Sequence, residues 1–425
     1  MSDTRGPDDG ADAADEPTTP FRSPDFRALF AAEALSTAGD QVARVALSIL
    51  VLERTGSVAW SATFYALTFL PALFGALLLG HLADRFPRRA VMVVTDLLRA
   101  GLVVLMALPG LPLPLLSALL VLVVLIRGPN TAARSALLPD LLPGALLTRG
   151  MAVRQVSVQV AQVAGFGAGG VLVALMTPSG ALLIDAGTFA VSAVIVGFGL
   201  RARSAIRAGG AAAPDRTASA ARWLHGARTG LGLVLGHPRR RYLVIACWVV
   251  GIYMLPEALA AAHAVAIGAG PAETGVLMAA NPAGSVVGAA LFAFVLPARN
   301  REGGIVPLAA GAAVCLALTP LAPGLWAAVG LWALSGGCAT ACLVQAQSEF
   351  ARATPSEVRG SATGVAASGL VASQGVAVLL GGLLADRTDP ALALGVFGIL
   401  GVVLALVVRQ LGRLGGDHPA PGPAG

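Results

Sequence analysis

An all-α membrane protein of twelve transmembrane helices, in two pseudo-symmetric bundles of six, is the fold class this sequence predicts. Three observations predict it. The composition is 56% hydrophobic and only 12% charged, about half the charge of a soluble domain. Apolar runs of about 20 residues, enough to carry a helix across about 30 Å of hydrocarbon, recur along the chain. The basic residues are all arginine and gather in alternate connections between those runs, the pattern that orients helices in a bilayer. The net charge of +6 therefore serves topology and does not mark a nucleic-acid binder.

In chain order, residues 1–25 are rich in Asp, Ala, Pro and Thr and lack an apolar core, so they are expected to be disordered and cytoplasmic. No basic start precedes an apolar stretch, and the segment does not read as a signal peptide. The N-terminal bundle covers 26–200, with spans over about 28–52, 58–82, 90–108, 113–133, 151–176 and 181–200. Pro109-Gly110-Leu111-Pro112 and Thr177-Pro178-Ser179-Gly180 form short uncharged external turns, and Leu137 to Leu147 an amphipathic cytoplasmic one. Residues 201–241 are arginine-rich with a Gly/Ala/Pro stretch, and read as a cytoplasmic linker. Its amphipathic helix, around Ala218 to Leu235, is expected on the membrane surface. The C-terminal bundle covers 242–412, with spans over about 242–266, 271–296, 305–322, 324–347, 358–385 and 392–410. Residues 413–425 are a Gly/Pro-rich tail, expected to be disordered.

The arginines set the orientation. With both termini cytoplasmic, Arg54 and Arg387 fall outside and Arg44, Arg99 and Arg127 fall within spans. All the other arginines lie in cytoplasmic segments or at the cytoplasmic ends of spans. The four cysteines, Cys247, Cys315, Cys338 and Cys342, lie inside apolar runs, so no disulfide framework is implied. Cys338 and Cys342 share a helix face without further ligands nearby, and neither a metal nor a cofactor is expected. No nucleophile-base pair or phosphate loop marks an enzyme.

The two sixes carry traces of duplication. At a constant offset of 212, Gly169 and Gly170 fall on Gly381 and Gly382, Pro178 on Pro390, Ala181 on Ala393 and Arg201 on Arg413. Paired repeats are how many transporters are built.

Between the second and third spans stands Gly80-His81-Leu82-Ala83-Asp84-Arg85-Phe86-Pro87-Arg88-Arg89. So many charges cannot lie in lipid, and the segment must be a tight cytoplasmic loop. It resembles the loop between helices 2 and 3 of the major facilitator superfamily, Gly-x-Leu-Ala-Asp-Arg-x-Gly-Arg-Arg/Lys. Gly80, Leu82, Ala83, Asp84, Arg85, Arg88 and Arg89 match, while Pro87 replaces the usual glycine. The other reading of the loop is a topology signal alone. The resemblance covers about 26–412 and implies twelve helices with a substrate site between the halves near the midplane.

Within that superfamily, Phe26, Leu29, Ser36, Gly39-Asp40 and Arg44-Val45-Ala46-Leu47 resemble the exporter branch that includes enterobactin exporter-like proteins. Asp96 to Ala100 and Ala136 to Leu141 resemble it too. The resemblance implies a bacterial cytoplasmic membrane protein that works as a monomer. Two further family motifs are matched in part. Arg127-Gly128 fits the intramembrane arginine of helix 4, followed here by Pro129 and Asn130. Gly165-Phe166-Gly167-Ala168-Gly169-Gly170 keeps the glycines of the helix 5 antiporter signature and lacks its proline. Gly165, Gly167, Gly169 and Gly170 are read either as that signature or as close packing of helix 5 on a partner.

A charge at mid-membrane depth costs about 2.5–3.5 kcal/mol or more and is kept for a reason. Asp40 is expected near mid-depth, with Arg44 one turn later on the same face. Two readings stand: a proton-coupling carboxylate, or a neutralised pair that fixes helix 1. Arg127 is a candidate partner for an acid or an anionic substrate group, or a structural link to Asp40. Glu257 is the second coupling candidate, placed near the external end where water could reach it. Glu33 and Asp96 are expected too near the cytoplasmic face for that role, and Asp185 and Glu53 too near the outer one. Gln155, Gln159 and Gln162 make a polar stripe that could meet substrate or join helices. His81 and His263 are expected in water, and Tyr253, Trp248 and Trp326 at the membrane interface.

The expected function is export of a small organic molecule (a drug, siderophore or secondary metabolite) by proton antiport with alternating access. A proton-independent facilitator or uptake permease is the alternative. A transport-dead sensor would need an output domain, and none is recognisable.

Overall fold

The computed structural model describes residues 19–79, 82–142, 144–201, 228–294, 304–355 and 358–415, and among them every regular element is helical. Twelve membrane helices follow in order. The first six are α1 (Pro24–Thr55), α2 (Val58–Ala66 continued by Leu70–Leu79), α3 (Arg88–Met106), α4 (Leu113–Leu141), α5 (Ala145–Leu175) and α6 (Pro178–Gly199). The second six are α7 (Pro238–Ala266), α8 (Pro271–Phe294), α9 (Ile305–Ala317), α10 (Leu325–Ala353), α11 (Arg359–Arg387) and α12 (Pro390–Gly415). Among the described residues nine of these are long and apolar enough to cross a bilayer, so the other three need a reason each. α2 is broken, α3 carries Arg88, Arg89, Asp96 and Arg99, and α9 is short.

Local chemistry sets the ends. Ser23 and Thr177 cap α1 and α6, each followed by a proline at the first helical position. Gly56 ends α1 with φ 63°, a left-handed conformation that a side chain would strain. Two helices expected to be continuous are interrupted. In α2 the turn at Leu67–Phe69 precedes Pro71, which has no N–H to give the Leu67 carbonyl. In α7 a 3-10 stretch, Val250–Met254, precedes Pro256 for the same reason. The linker helix expected around Ala218 to Leu235 lies in part outside the described residues, and its last turns, 228–235, are helical.

Helix neighbours repeat between the halves. In the first, α1 packs on α5 and α6, α3 on α4 and α6, and α2 on α4. In the second, α7 packs on α11 and α12, α9 on α10 and α12, and α8 on α10. Adding six to each number turns one pattern into the other, which is the pseudo-symmetry the offset of 212 pointed to. The halves meet through α5 against α8 and α2 against α11, again a symmetric pair.

Those contacts are confined to one end, here called distal, which carries the turns after α1, α5, α7 and α11. The proximal end carries the starts of α1, α5, α7 and α11. Along α5 none of residues 151–160 is buried, whereas Gly165, Phe166, Gly169, Gly170 and Val173 are. Along α11 none of 363–374 is buried, whereas Gly375, Ala377, Val378, Gly381, Gly382 and Ala385 are. The halves are therefore closed distally and parted proximally.

Candidate functional site

Small residues make the distal closure. Gly170 of α5 lies against Pro271 and Gly275 of α8, and Gly382 of α11 lies against Ala62 of α2. These glycines are partners at the offset of 212, and each is the point where its own half meets the other. Gly165 and Gly169 instead press on Ala38, Val42 and Val45 of α1, while a β-carbon on Gly167 would meet nothing within 4 Å. Close packing thus accounts for three of the four glycines and leaves Gly167 aside. At the surface of this end, Asp386 of α11 accepts from Ser57 Oγ at 2.9 Å and from the Ala59 N–H at 3.2 Å. A carboxylate from one half thereby satisfies the open helix start of the other.

Deeper in, a second carboxyl crosses the boundary. Glu257 of α7 is 1% exposed and its Oε2 accepts from the Tyr65 hydroxyl of α2 at 2.5 Å. Water at this site was the expectation. The closure of the distal end buries Glu257 instead, and Tyr65, an uncharged residue, carried no signal in the sequence. Arg44 lies with its guanidinium 5.6 Å from the Tyr65 ring centroid and donates to Gln41 Oε1 at 3.3 Å.

The first half holds the densest group of charges. Asp40 stands at the middle of α1, and its Oδ1 meets Arg99 Nη2 of α3 at 2.5 Å. Arg127 of α4 lies 3.8 Å from Asp40 Oδ2 and is the more open of the two arginines. Arg99 is sealed in, its guanidinium 3.9 Å from the Phe189 ring centroid, a cation–π placement. The expected pairing of Asp40 with Arg44 is replaced by Arg99 and Arg127, because α3 and α4 bring guanidinium groups in from the side. Asp185 of α6, expected near the outer face, is buried at the depth of Asp40: a β-carbon on Gly39 would strike its Oδ1.

One turn toward the proximal end, Asp96 is fully buried and accepts from Asn130 Nδ2 at 2.8 Å and Ser192 Oγ at 2.7 Å. Arg134 lies 3.8 Å from its Oδ2. Glu33 and Arg154 then pair through two bonds of 2.6 Å, a bidentate link between α1 and α5. Intramembrane charge at Asp96, Arg134 and Asp185 was the available signal for these groups, and depth counted from assumed helix ends discounted it.

Of the glutamine stripe, Gln155 is exposed and Gln159 and Gln162 are half-buried, on the stretch of α5 left open by the other half. His263, expected in water, is buried against Trp332, and Tyr253 is buried with its hydroxyl donating to the Ala309 carbonyl at 2.7 Å. Trp248 donates to the Ala366 carbonyl at 3.1 Å. The four cysteines are unpaired.

In the charged loop, Gly80, His81 and the side chain of Asp84 lie outside the described residues. Arg88 binds the Asp140 carboxylate and the Ala136 carbonyl of α4, and Arg89 binds the Gly197 carbonyl of α6. In this conformation both arginines tie helices of their own half. Arg85 is exposed beside Phe86.

Comparison with known proteins places this architecture. Residues 29–301 match the model described as Major Facilitator Superfamily. The chain is 26% identical over 407 residues to the multidrug efflux pump Tap of Mycolicibacterium fortuitum, covering 92% of this chain and 97% of that one. It is 28% identical over 319 residues to Tap of Mycobacterium tuberculosis, covering 71% and 73%. Among solved structures, a bacterial homologue of the human lysosomal transporter Spinster superposes with a TM-score of 0.71 at 16% identity, covering 96% of this chain and all of that one.

Proposed function

The chain belongs to the major facilitator superfamily, a family of multi-pass membrane transporters, and we propose that it exports a small organic molecule by proton antiport. The observation that carries this reading is the asymmetry of the two ends. The halves are sealed distally through Gly170, Gly382 and Tyr65–Glu257, and parted proximally beside a cluster of intramembrane charge. A transporter that alternates access needs one such end closed and the other open.

The arginine distribution supports placing the proximal end and both termini in the cytoplasm of a bacterial cell, which makes this the inward-facing form. Substrate enters from that side and meets the open face of α5, with Gln155, Gln159 and Gln162, and the exposed edge of Arg127. Similarity to multidrug efflux pumps supports the outward direction and a drug as cargo, and a siderophore or secondary metabolite belongs to the same proposal. Asp40 and Glu257 are the coupling carboxyls. When the proximal end closes, Asp84, Arg85, Arg88 and Arg89 clasp it. The protein works as a monomer.

The test is a deletion strain screened against a compound panel, followed by flux in inverted vesicles under an imposed pH gradient. Flux that follows the gradient supports antiport. One observation favours the facilitator reading: the proline of the helix 5 antiporter signature is missing here, and flux indifferent to the gradient would establish it.

A further inference from the structure

Tyr65 belongs to the first half and Glu257 to the second, so their 2.5 Å hydrogen bond must break each time the distal end opens. The bond satisfies one carboxyl oxygen only. Oε1 of Glu257 is buried and has no hydrogen-bond partner among the described residues. An ionised carboxyl in that pocket would carry charge on an oxygen that nothing solvates, which is costly. A neutral acid leaves a far weaker polar group unpaired. Opening the distal end admits water, and both forms are then solvated. Closure of the end and the proton on Glu257 are linked for this reason.

The surroundings do not remove the argument. Tyr65 of α2 and Arg44 of α1 are the titratable and charged groups that act on Glu257. Arg44 faces the Tyr65 ring and Gln41 and makes no ion pair within 4.0 Å among the described residues. Of the neighbouring helices, α8 has Glu273 turned to the Gly270 N–H, and α11 has Asp386 at the surface, holding Ser57 and Ala59. His263, further along α7, stacks on Trp332.

Resting on the antiport reading above, the geometry points to Tyr65 and Glu257 as a proton-dependent latch that shuts the distal end only while Glu257 carries a proton. The proton comes from water on the distal side while that end is open, stays on Glu257 while the end is shut, and under the antiport reading leaves to the proximal side, which releases the latch. Glu257 thus acts on the conformational step, and Tyr65 is its positioning partner across the boundary.

The experiment reads conformation, not transport. Spin labels at Trp60 and Thr388, both exposed at the distal end, report the spacing of the halves in lipid nanodiscs, on a background without the native cysteines. Distances are recorded between about pH 5 and about pH 8.5, a range over which perturbed carboxyls titrate. The wild type is expected to be mostly closed in acid and to open as the pH rises. Glu257→Gln, neutral throughout, is expected to stay closed and lose the response. Tyr65→Phe is expected to lower the closed fraction at every pH. A wild-type spacing that ignores pH overturns the latch, as does a Glu257→Gln protein with the wild-type response. If Glu257→Gln fails to fold, a Tyr65→Phe closed fraction equal to the wild type overturns it as well. Vesicle flux is scored separately. Gradient-driven flux with a spacing that ignores pH removes the latch alone, whereas a titrating spacing with gradient-indifferent flux removes antiport and keeps the latch.

Discussion

Gly170 and Gly275 bring the backbones of α5 and α8 into direct contact: a β-carbon on Gly170 would lie 2.8 Å from Gly275 Cα and 2.6 Å from the Pro271 carbonyl oxygen. No side chain fits while the distal end is closed. Gly170→Leu is therefore expected to insert and fold but to disfavour this conformation. Overpacking of this kind costs about 1–3 kcal/mol, a shift of roughly 5- to 150-fold in population. A cysteine at Ala59 should then react faster with an impermeant maleimide added from the distal side. Gly167→Ala, with open space around it, is the control and should label like the wild type. Equal labelling in the Gly170→Leu protein would place the closing contact elsewhere.

The charged loop is expected to act in the other conformation. Arg88 and Arg89 are anchored to α4 and α6 of their own half here, which keeps the loop in shape while the proximal end is open. Asp84→Asn should leave membrane insertion intact and cut transport severely, because the proximal clasp loses its acidic member at a helix end. A well-expressed Asp84→Asn protein with wild-type flux would reduce the loop to a topology signal.

Topology gives the third test. A cytoplasm-specific reporter fused after Arg241, or at the C-terminus, should be active, and a periplasm-specific one silent. The opposite result would invert the assignment of the distal end to the outside and make this the outward-facing form.

The fold was legible because apolar length and arginine placement are one-dimensional signals, and bilayer thickness converts both directly into spans. The breaks at Pro71 and Pro256 were visible as residues, yet a run of apolar letters does not show whether neighbouring helices will heal them. The site was legible only within single helices. Arg44 offered itself to Asp40 because a sequence displays neighbours one turn apart, whereas Arg99 lies 59 residues away and Tyr65 is 192 residues from Glu257. Such pairs exist only once helices pack. The exporter-branch residues Ser36, Asp40, Asp96 and Arg99 were singled out together, and they sit in adjoining polar contacts between α1, α3, α4 and α6.

Asp40 and Arg99 make the sharpest prediction, because the pair has both a structural and a functional reading. Arg99 has a side chain only 4% exposed, and its strongest partner is Asp40. Asp40→Asn would leave that guanidinium buried against Phe189 without its counter-charge, and breaking a buried pair costs about 3–5 kcal/mol. Arg127, which is more open, can turn toward water and offsets none of this. The expected outcome is a marked fall in the thermal midpoint and in folded yield for Asp40→Asn, and a smaller fall for Arg99→Gln, because Arg127 stays 3.8 Å from the charge left on Asp40. The double variant removes both charges and should recover most of the loss, giving a coupling energy that a double-mutant cycle measures directly. Transport separates the two readings. If Asp40 also couples protons, the recovered double variant should exchange substrate downhill yet fail to concentrate it under an imposed pH gradient. A double variant that is stable and still concentrates substrate would leave Asp40 as an anchor of α1 on α3 and move the coupling to Glu257.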